Sequence, residues 1–190
     1  GKYRGIDHNI HRAEGFTNYT VFSVWDTYRA LHPLFNIIKR DVSTNLVKSM
    51  LAHYSQSVHH LLPVWSHMGN ENWCMIGYHS VSVLADAITK GLPIDKQEAV
   101  KAMVSSSNVP YYDHTDEYKQ LGYVPFDQSP TSAPTTLETA HEDRPVYHTA
   151  LLLGDKPTAD PYKKRAFHYR NAFKLGLGVA CPRYIDGSCK

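Results

Sequence analysis

No run of about 18 consecutive apolar residues occurs in these 190 residues, so no segment reads as a membrane-spanning helix. No block or stripe of one charge stands out, and the formal net charge is only +2. That makes nucleic acid a poor partner. Cysteine is scarce: Cys74, Cys181 and Cys189 are the whole set, with no CxxC pair and no zinc spacing. Cys181 and Cys189 can pair in an oxidising compartment, while Cys74 reads as a structural thiol. HExxH, GxSxG, the phosphate-binding loop and the dinucleotide fingerprint are all missing. The histidines, including His8, His11 and the His59-His60 pair, have no carboxylate at a metal-ligand spacing and read as scattered core and surface residues. The chain starts at Gly1 with neither an initiator Met nor a charged-then-apolar leader, which suggests a processed or partial chain.

What is present is enough length for one domain with a core of its own. Aromatic content is high at 12%, with thirteen Tyr and three Trp; such rings line sugar clefts and equally fill ordinary cores. Asn18-Tyr19-Thr20 fits a glycosylation acceptor, a short pattern that is common by chance.

Helical periodicity dominates the chain. The stretch 15–24 is β-branched and aromatic and reads as partly extended. A short helix is predicted over 25–38 with an interruption near Pro33. Asp41 and Ser43 then offer caps for a stronger helix. Its apolar side runs through Leu46, Met50, Tyr54 and Val58, and Pro63 ends it. Residues 63–73 read as a loop. A helix follows over 75–90, with Ile76, Val83, Leu84, Ala87 and Ile88 inward and Gly91 closing it. Asp95 caps another helix to about 106. A long irregular connection, 108–134, precedes a helix from about Pro134 to 153, and a last helix covers 159–173. The C-terminal stretch, with its Gly176-Leu177-Gly178, reads as turns. No alternation of strand and helix occurs, so the fold class expected is all-α, an αα-hairpin array with function in the long loops.

Three places hold residues suited to chemistry. "WDTYR" at 25–29 sets a ring, an acceptor and a forked donor on about one helical turn. Trp25, Asp26 and Arg29 would suit a polyol, with the ring on its C–H face and the charged groups on its hydroxyls; the same residues also read as an i,i+3 ion pair beside a buried Trp. "GNENWCMIGYH" at 69–79 puts Gly69, Asn70, Glu71 and Asn72 at a polar tip before a helix; either Asn70 or Asn72 is a plain cap, or Glu71 reaches into a cleft and binds hydroxyls. Glu138, in "APTTLETAHED" at 133–143, is either a solvated helix residue or a proton donor, and Glu142 and Asp143 follow it.

Taken together these stretches resemble glycoside hydrolase family 92, the calcium-dependent exo-α-mannosidases. The matching blocks include "YRGID" at 3–7, "GFTNYTVFSVWDTYRALHPLF" at 15–35, "SMLAHYSQS" at 49–57, "LPVW" at 62–65, "GNENWCMIGYHSV" at 69–81, "ADAITKG" at 85–91, "LGYVP" at 121–125, "TLE" at 136–138 and "DGS" at 186–188, in order along nearly the whole chain.

The resemblance implies that residues 1–190 are part of an (α/α)6 barrel catalytic domain. It implies hydrolysis of terminal α-mannosidic bonds with inversion, on a mannose-containing glycan. Glu138 falls on the family's general acid. Trp25, Asp26 and Arg29 would hold the terminal mannose, with Asn70, Glu71 and His79 in or near the same cleft. Calcium is implied as cofactor, with no ligand assignable in this chain, and a secreted or periplasmic setting is implied with it. The sequence also departs from the family: no Gly-Asn-Asp-Asp-like base motif occurs, "TAHEDRP" replaces a more aromatic continuation, and Cys189 stands where a Trp is expected. Pro145 inside the expected helix would cost about 3 kcal/mol or more unless the helix bends. The isolated chain is therefore expected to be weak or inactive, and the rival reading is a non-catalytic carbohydrate-binding or structural module of the same family. Helices built to pack on absent neighbours would expose apolar faces, which implies either the remainder of the barrel or self-association as partner.

Overall fold

The computed structural model describes residues 1–174, 176 and 178–190. Among the described residues, about half are helical and strand is confined to four segments of two or three residues, so the all-α expectation holds. The chain divides into two compact units, Gly1–Ser106 and Ser107–Lys190.

In the first unit, β1 (Lys2–Arg4) and β2 (Ile10–Arg12) pair antiparallel. Five helices follow: α1 (Val24–Thr27), α2 (Leu31–Ile38), α3 (Arg40–Gln56), α4 (Ser80–Thr89) and α5 (Lys96–Ser106). A hairpin of β3 (Ser66–His67) and β4 (Asn70–Glu71) lies between α3 and α4. Val47, Met50, Leu51 and Tyr54 recur at i, i+3, i+4 and i+7 along α3, and all are buried. They face a layer from α4, Val81, Val83, Leu84, Ala87 and Ile88, and one from α5, Ala99, Val100, Ala102 and Met103.

Asp95 caps α5 as its sequence predicts, its Oδ1 accepting from the Gln97 and Glu98 amides at 2.9 Å each. Other expectations shift. The break in the first helical stretch falls at residues 28–30, ahead of Pro33, which then sits in the first turn of α2 where its missing N–H leaves no bond unmade. α3 stops at Gln56, so Val58 is not on its inner face and is 80% exposed. α4 begins at Ser80, five residues later than the periodicity implies, because residues 72–79 are bent by left-handed backbone at Trp73, Met75 and Gly77.

α2 inverts the usual pattern. His32 and Asn36 are buried while Leu31, Leu34, Ile37 and Ile38 are exposed. Asn36 is satisfied by a small network: its Nδ2 donates to Asp86 Oδ2 at 2.6 Å, Ser43 donates to its Oδ1, and Lys90 pairs with Asp86 at 2.8 Å. His32 Nδ1 is buried without a hydrogen-bond partner among the described residues, and burial holds the imidazole down at about 4.

In the second unit, α6 (Thr115–Leu121) interrupts the connection that sequence alone leaves irregular. α7 (Ser132–Leu152) and α8 (Lys156–Arg165) form an αα-hairpin, and a 3-10 turn, His168–Ala172, packs back on α7. The last helix expected over 159–173 is therefore shorter and earlier, capped by Asp155 and relaxed into the 3-10 turn after Arg165. Pro145 lies inside α7, which nonetheless continues to Leu152. Cys181 and Cys189 are joined by a disulfide, and Cys74 is free. The turn expected at 176–178 includes Leu177, which lies outside the described residues.

Candidate functional site

α1 is a single turn, and its short length comes from the residues on either side. The backbone before it is extended: the amides of Phe22 and Val24 donate to the Ser66 and Val64 carbonyls at 3.2 Å each. This stitches 22–24 to the strand-like segment entering the β3–β4 hairpin. Val24 is buried, and the helical turn then presents Trp25 half-buried, with Asp26 and Arg29 exposed. Asp26 accepts from the Ser23 hydroxyl. Arg29 does not point away from the rings: its guanidinium carbon lies 4.9 Å from the Trp25 centroid and 4.8 Å from that of Tyr28. The Trp25 indole Nε1 is buried and has no acceptor among the described residues.

Tyr28 extends the same cluster inward. Its ring stacks on buried His79 at 4.3 Å between centroids and 6° between planes. His79 can take that place because Gly77 has no side chain. A Cβ there would lie 2.7 Å from His79 Nε2, and the φ of 82° favours glycine as well. Trp25, Arg29 and His79 are thus brought into one aromatic and cationic cluster, with Tyr28 as a member that the sequence did not single out. Its signal was present, three residues after Trp25 in "WDTYR".

Asn70 and Glu71 form β4. The hairpin turns on Met68 and Gly69, both with positive φ (52° and 74°), the backbone of a two-residue turn between twisted strands. Asn70 is exposed, and its side-chain amide donates to the Met68 carbonyl at 3.3 Å. Glu71 is turned inward. Its Oε2 accepts from the Val64 amide at 3.0 Å, and its Oε1 accepts from Trp65 at 2.8 Å, Asn72 at 3.1 Å and Trp73 at 3.3 Å. The side chain therefore organises the hairpin that abuts 22–24. His53 Nε2 lies 3.7 Å from Glu71 Oε2, while His53 Nδ1 contacts the Leu61 carbonyl at 3.2 Å. Burial pushes the Glu71 carboxyl up, against the amide donors that pull it down, and holds His53 down at about 4. Glu71→Gln replaces an acceptor oxygen by an NH2 group that must face amide donors. We expect the first unit to lose about 1–3 kcal/mol, measured as a lower urea midpoint at unchanged slope.

Glu138 stands in the second unit, on the early part of α7, and is half-buried. Thr135, Thr136 and Thr139 around it are buried, and Thr136 ties α7 to the preceding segment by accepting from the Val124 amide at 2.9 Å. One turn on, Glu142 and Asp143 are fully buried. Asp143 meets Arg165 of α8 through two contacts, Nη2 to Oδ1 at 2.8 Å and Nε to Oδ2 at 3.0 Å. The Tyr118 hydroxyl of α6 donates to Asp143 Oδ2 at 3.0 Å. Burial and the neighbouring Asp143 carboxylate push the Tyr118 phenol far above its ordinary range, so it remains a donor. Arg165 also donates to the Ser107 carbonyl at 3.1 Å and lies 4.7 Å from the Tyr162 ring centroid. Sequence reasoning noted Asp143 but missed Tyr118 and Arg165. The usable signal was that position 143 shares a helical stripe with 139, 140, 146 and 150, so its charge needs a partner.

Among the described residues, no group of three or more His, Cys, Asp or Glu is arranged to hold a metal ion.

The family model described as glycosyl hydrolase family 92 catalytic domain matches residues 1–190. Among solved structures, the chain is similar to the family GH92 α-mannosidase BT3965 of Bacteroides thetaiotaomicron, at 46% identity and a TM-score of 0.97, covering 100% of this chain and 26% of that one. A second structure of that protein, in complex with mannoimidazole, matches at the same identity and TM-score over 25% of its length. The family GH92 inverting mannosidase BT2199 of the same organism matches at 31% identity and a TM-score of 0.89, over 100% and 26% of the two chains. The chain thus spans about a quarter of the length of these solved relatives. No curated protein matches.

Proposed function

Because this chain belongs to glycosyl hydrolase family 92, we propose that it supplies the proton donor and part of the sugar-holding surface of an inverting exo-α-mannosidase. The observation that carries the reading is Glu138, which is half-buried on α7 within "TLE" and is not a fully solvated helix residue. In this reading Glu138 gives its proton to the glycosidic oxygen as the bond to the anomeric carbon breaks. Water enters from the opposite face, activated by a second carboxylate roughly 6.5–9.5 Å from the first; that base is assigned to none of these 190 residues. Calcium, on which the family generally depends, is given no ligands here and takes no part in the steps proposed.

Trp25, Asp26 and Arg29 hold the terminal mannose in this proposal. The exposed carboxylate and guanidinium suit vicinal hydroxyls, and the half-buried indole suits the C–H face of the sugar. His79 backs this surface through Tyr28, and Asn70 and Glu71 shape it through the hairpin. The disulfide at Cys181–Cys189 accords with the secreted or periplasmic setting that we propose for it.

The test compares residues 1–190 alone with the complete polypeptide that carries this sequence, each given an α-1,2-linked mannobiose and calcium. Mannose release by the complete polypeptide, with little or none from residues 1–190, is the expected result. Mannose binding to the complete polypeptide by calorimetry without any release would instead favour the non-catalytic module. The exposed apolar side of α2, Leu31, Leu34, Ile37 and Ile38, fits our proposal that residues 1–190 by themselves self-associate or need further chain to cover it.

A further inference from the structure

α7 carries its weakest point just after its carboxylates. Pro145 offers no N–H to the His141 carbonyl, and its ring crowds that carbonyl, so the helix loses an internal bond in the turn that follows Glu138. A helix with such a gap hinges there unless something else fixes it. The structure places a group of buried polar contacts at that turn. Asp143, two residues before Pro145, is gripped by both Nε and Nη2 of Arg165 from α8 and by the Tyr118 hydroxyl from α6. Tyr118 in turn lies 3.0 Å from the Arg165 carbonyl, and Arg165 Nη2 reaches the Ser107 carbonyl at 3.1 Å. The paired, planar contact of a guanidinium with a carboxylate fixes orientation as well as distance, which a lysine ammonium cannot do.

We propose that Asp143, Arg165 and Tyr118 are positioning residues. They clamp α7 at its proline-weakened turn and so hold the turn bearing Glu138 in the orientation for proton transfer. This rests on the reading of Glu138 as the proton donor. The clamp touches no substrate. Its contribution is rotational, because Asp143 lies five residues, about one and a half turns, from Glu138 on the same helix. A twist at 143 is transmitted to 138, and misplacement of a reacting group by about 1 Å can lower the rate about 100-fold.

The test uses the complete polypeptide with mannobiose as substrate. Arg165→Lys keeps the positive charge and removes the fork. It is expected to lower kcat by about ten-fold or more, with KM within about two-fold of wild type. Adding Pro145→Ala to Arg165→Lys restores the internal bond of α7, and most of the lost kcat returns. A purely stabilising ion pair does not give that split, since folded enzyme would turn over normally. Rates are expressed per folded molecule by circular dichroism. If Arg165→Lys does not fold, Tyr118→Phe decides: it removes one clamp bond without unpairing a charge, and kcat falls by a few-fold at constant KM. Unchanged kcat in the folded variant overturns the clamp, as does a rise in KM alone or a kcat loss that Pro145→Ala fails to recover. Glu138→Gln measured alongside separates the two ideas. If that variant hydrolyses mannobiose normally, the proton-donor reading has failed. If it is crippled while the clamp variants are not, only the positioning role has failed.

Discussion

If Glu138 is the proton donor we propose, Glu138→Gln in the complete polypeptide is expected to lower kcat on a mannobiose by about 100- to 10,000-fold and to leave KM nearly unchanged. That is the range removed with one general acid. Glutamine keeps the shape and hydrogen-bonding reach of the side chain, so α7 and the buried threonines around position 138 are undisturbed. It cannot supply a proton. A sugar alkoxide is a poor leaving group and needs that proton in the transition state. A nitrophenyl α-mannoside does not, because nitrophenolate departs unaided. Two substrates therefore separate the roles: the variant loses far more on mannobiose than on the nitrophenyl mannoside. Equal losses on both would mean that position 138 acts in something other than proton donation, and no loss on either would remove it from the reaction.

The residues that make this test worth doing were partly legible in the sequence. The start of α5 and the end of α4 were legible, because Asp95 and Gly91 are local signals that need no tertiary partner. α7 was legible for the same reason, with Gly154 beyond its end. The stripe on α3 was right at Met50 and Tyr54; it took half-buried Leu46 for the fully buried Val47 and failed at Val58, where spacing alone continued past the real end of the helix. α6 was missed although Asp116 and Glu117 sit in its first turn, Lys119 in its last and Gly122 just beyond. Seven residues among tyrosines and prolines give too little period to count. The late start of α4 was out of reach, because it depends on three left-handed residues, two of them Trp73 and Met75, which avoid that conformation when local preference rules.

The site divides in the same way. Residue types in blocks, "WDTYR" and "TLE", named Trp25, Arg29 and Glu138 as candidates. What those side chains meet was not legible. That Arg29 lies over two rings, that Tyr28 stacks on His79, and that Glu71 faces the amides of its own hairpin are consequences of long-range packing. The sequence treated Pro145 as a threat to α7. The structure keeps the helix continuous, with the Asp143 contacts two residues away.

Those contacts also set the largest stability effect. Arg165→Met takes both guanidinium contacts from Asp143, whose side chain has no exposed surface, while the Tyr118 hydroxyl still donates to it. An ion pair this buried contributes little net stability when both partners are present, since each charge has lost its water. Removing one partner is different, because the desolvation of the other is then uncompensated, at about 3–5 kcal/mol. Met fills most of the Arg volume, so little of the loss is cavity. The loss should appear in hydrogen exchange as a lower opening free energy for the α7 and α8 amides, with α3 and α5 of the first unit unaffected. Pairing Arg165→Met with Asp143→Leu removes both charges and should recover most of it, leaving Tyr118 to find another acceptor; the Arg165 carbonyl, already 3.0 Å from its hydroxyl, is in place. A single substitution that costs less than about 1 kcal/mol would be the value of a solvated surface pair, and would mean that water reaches the Asp143 carboxylate.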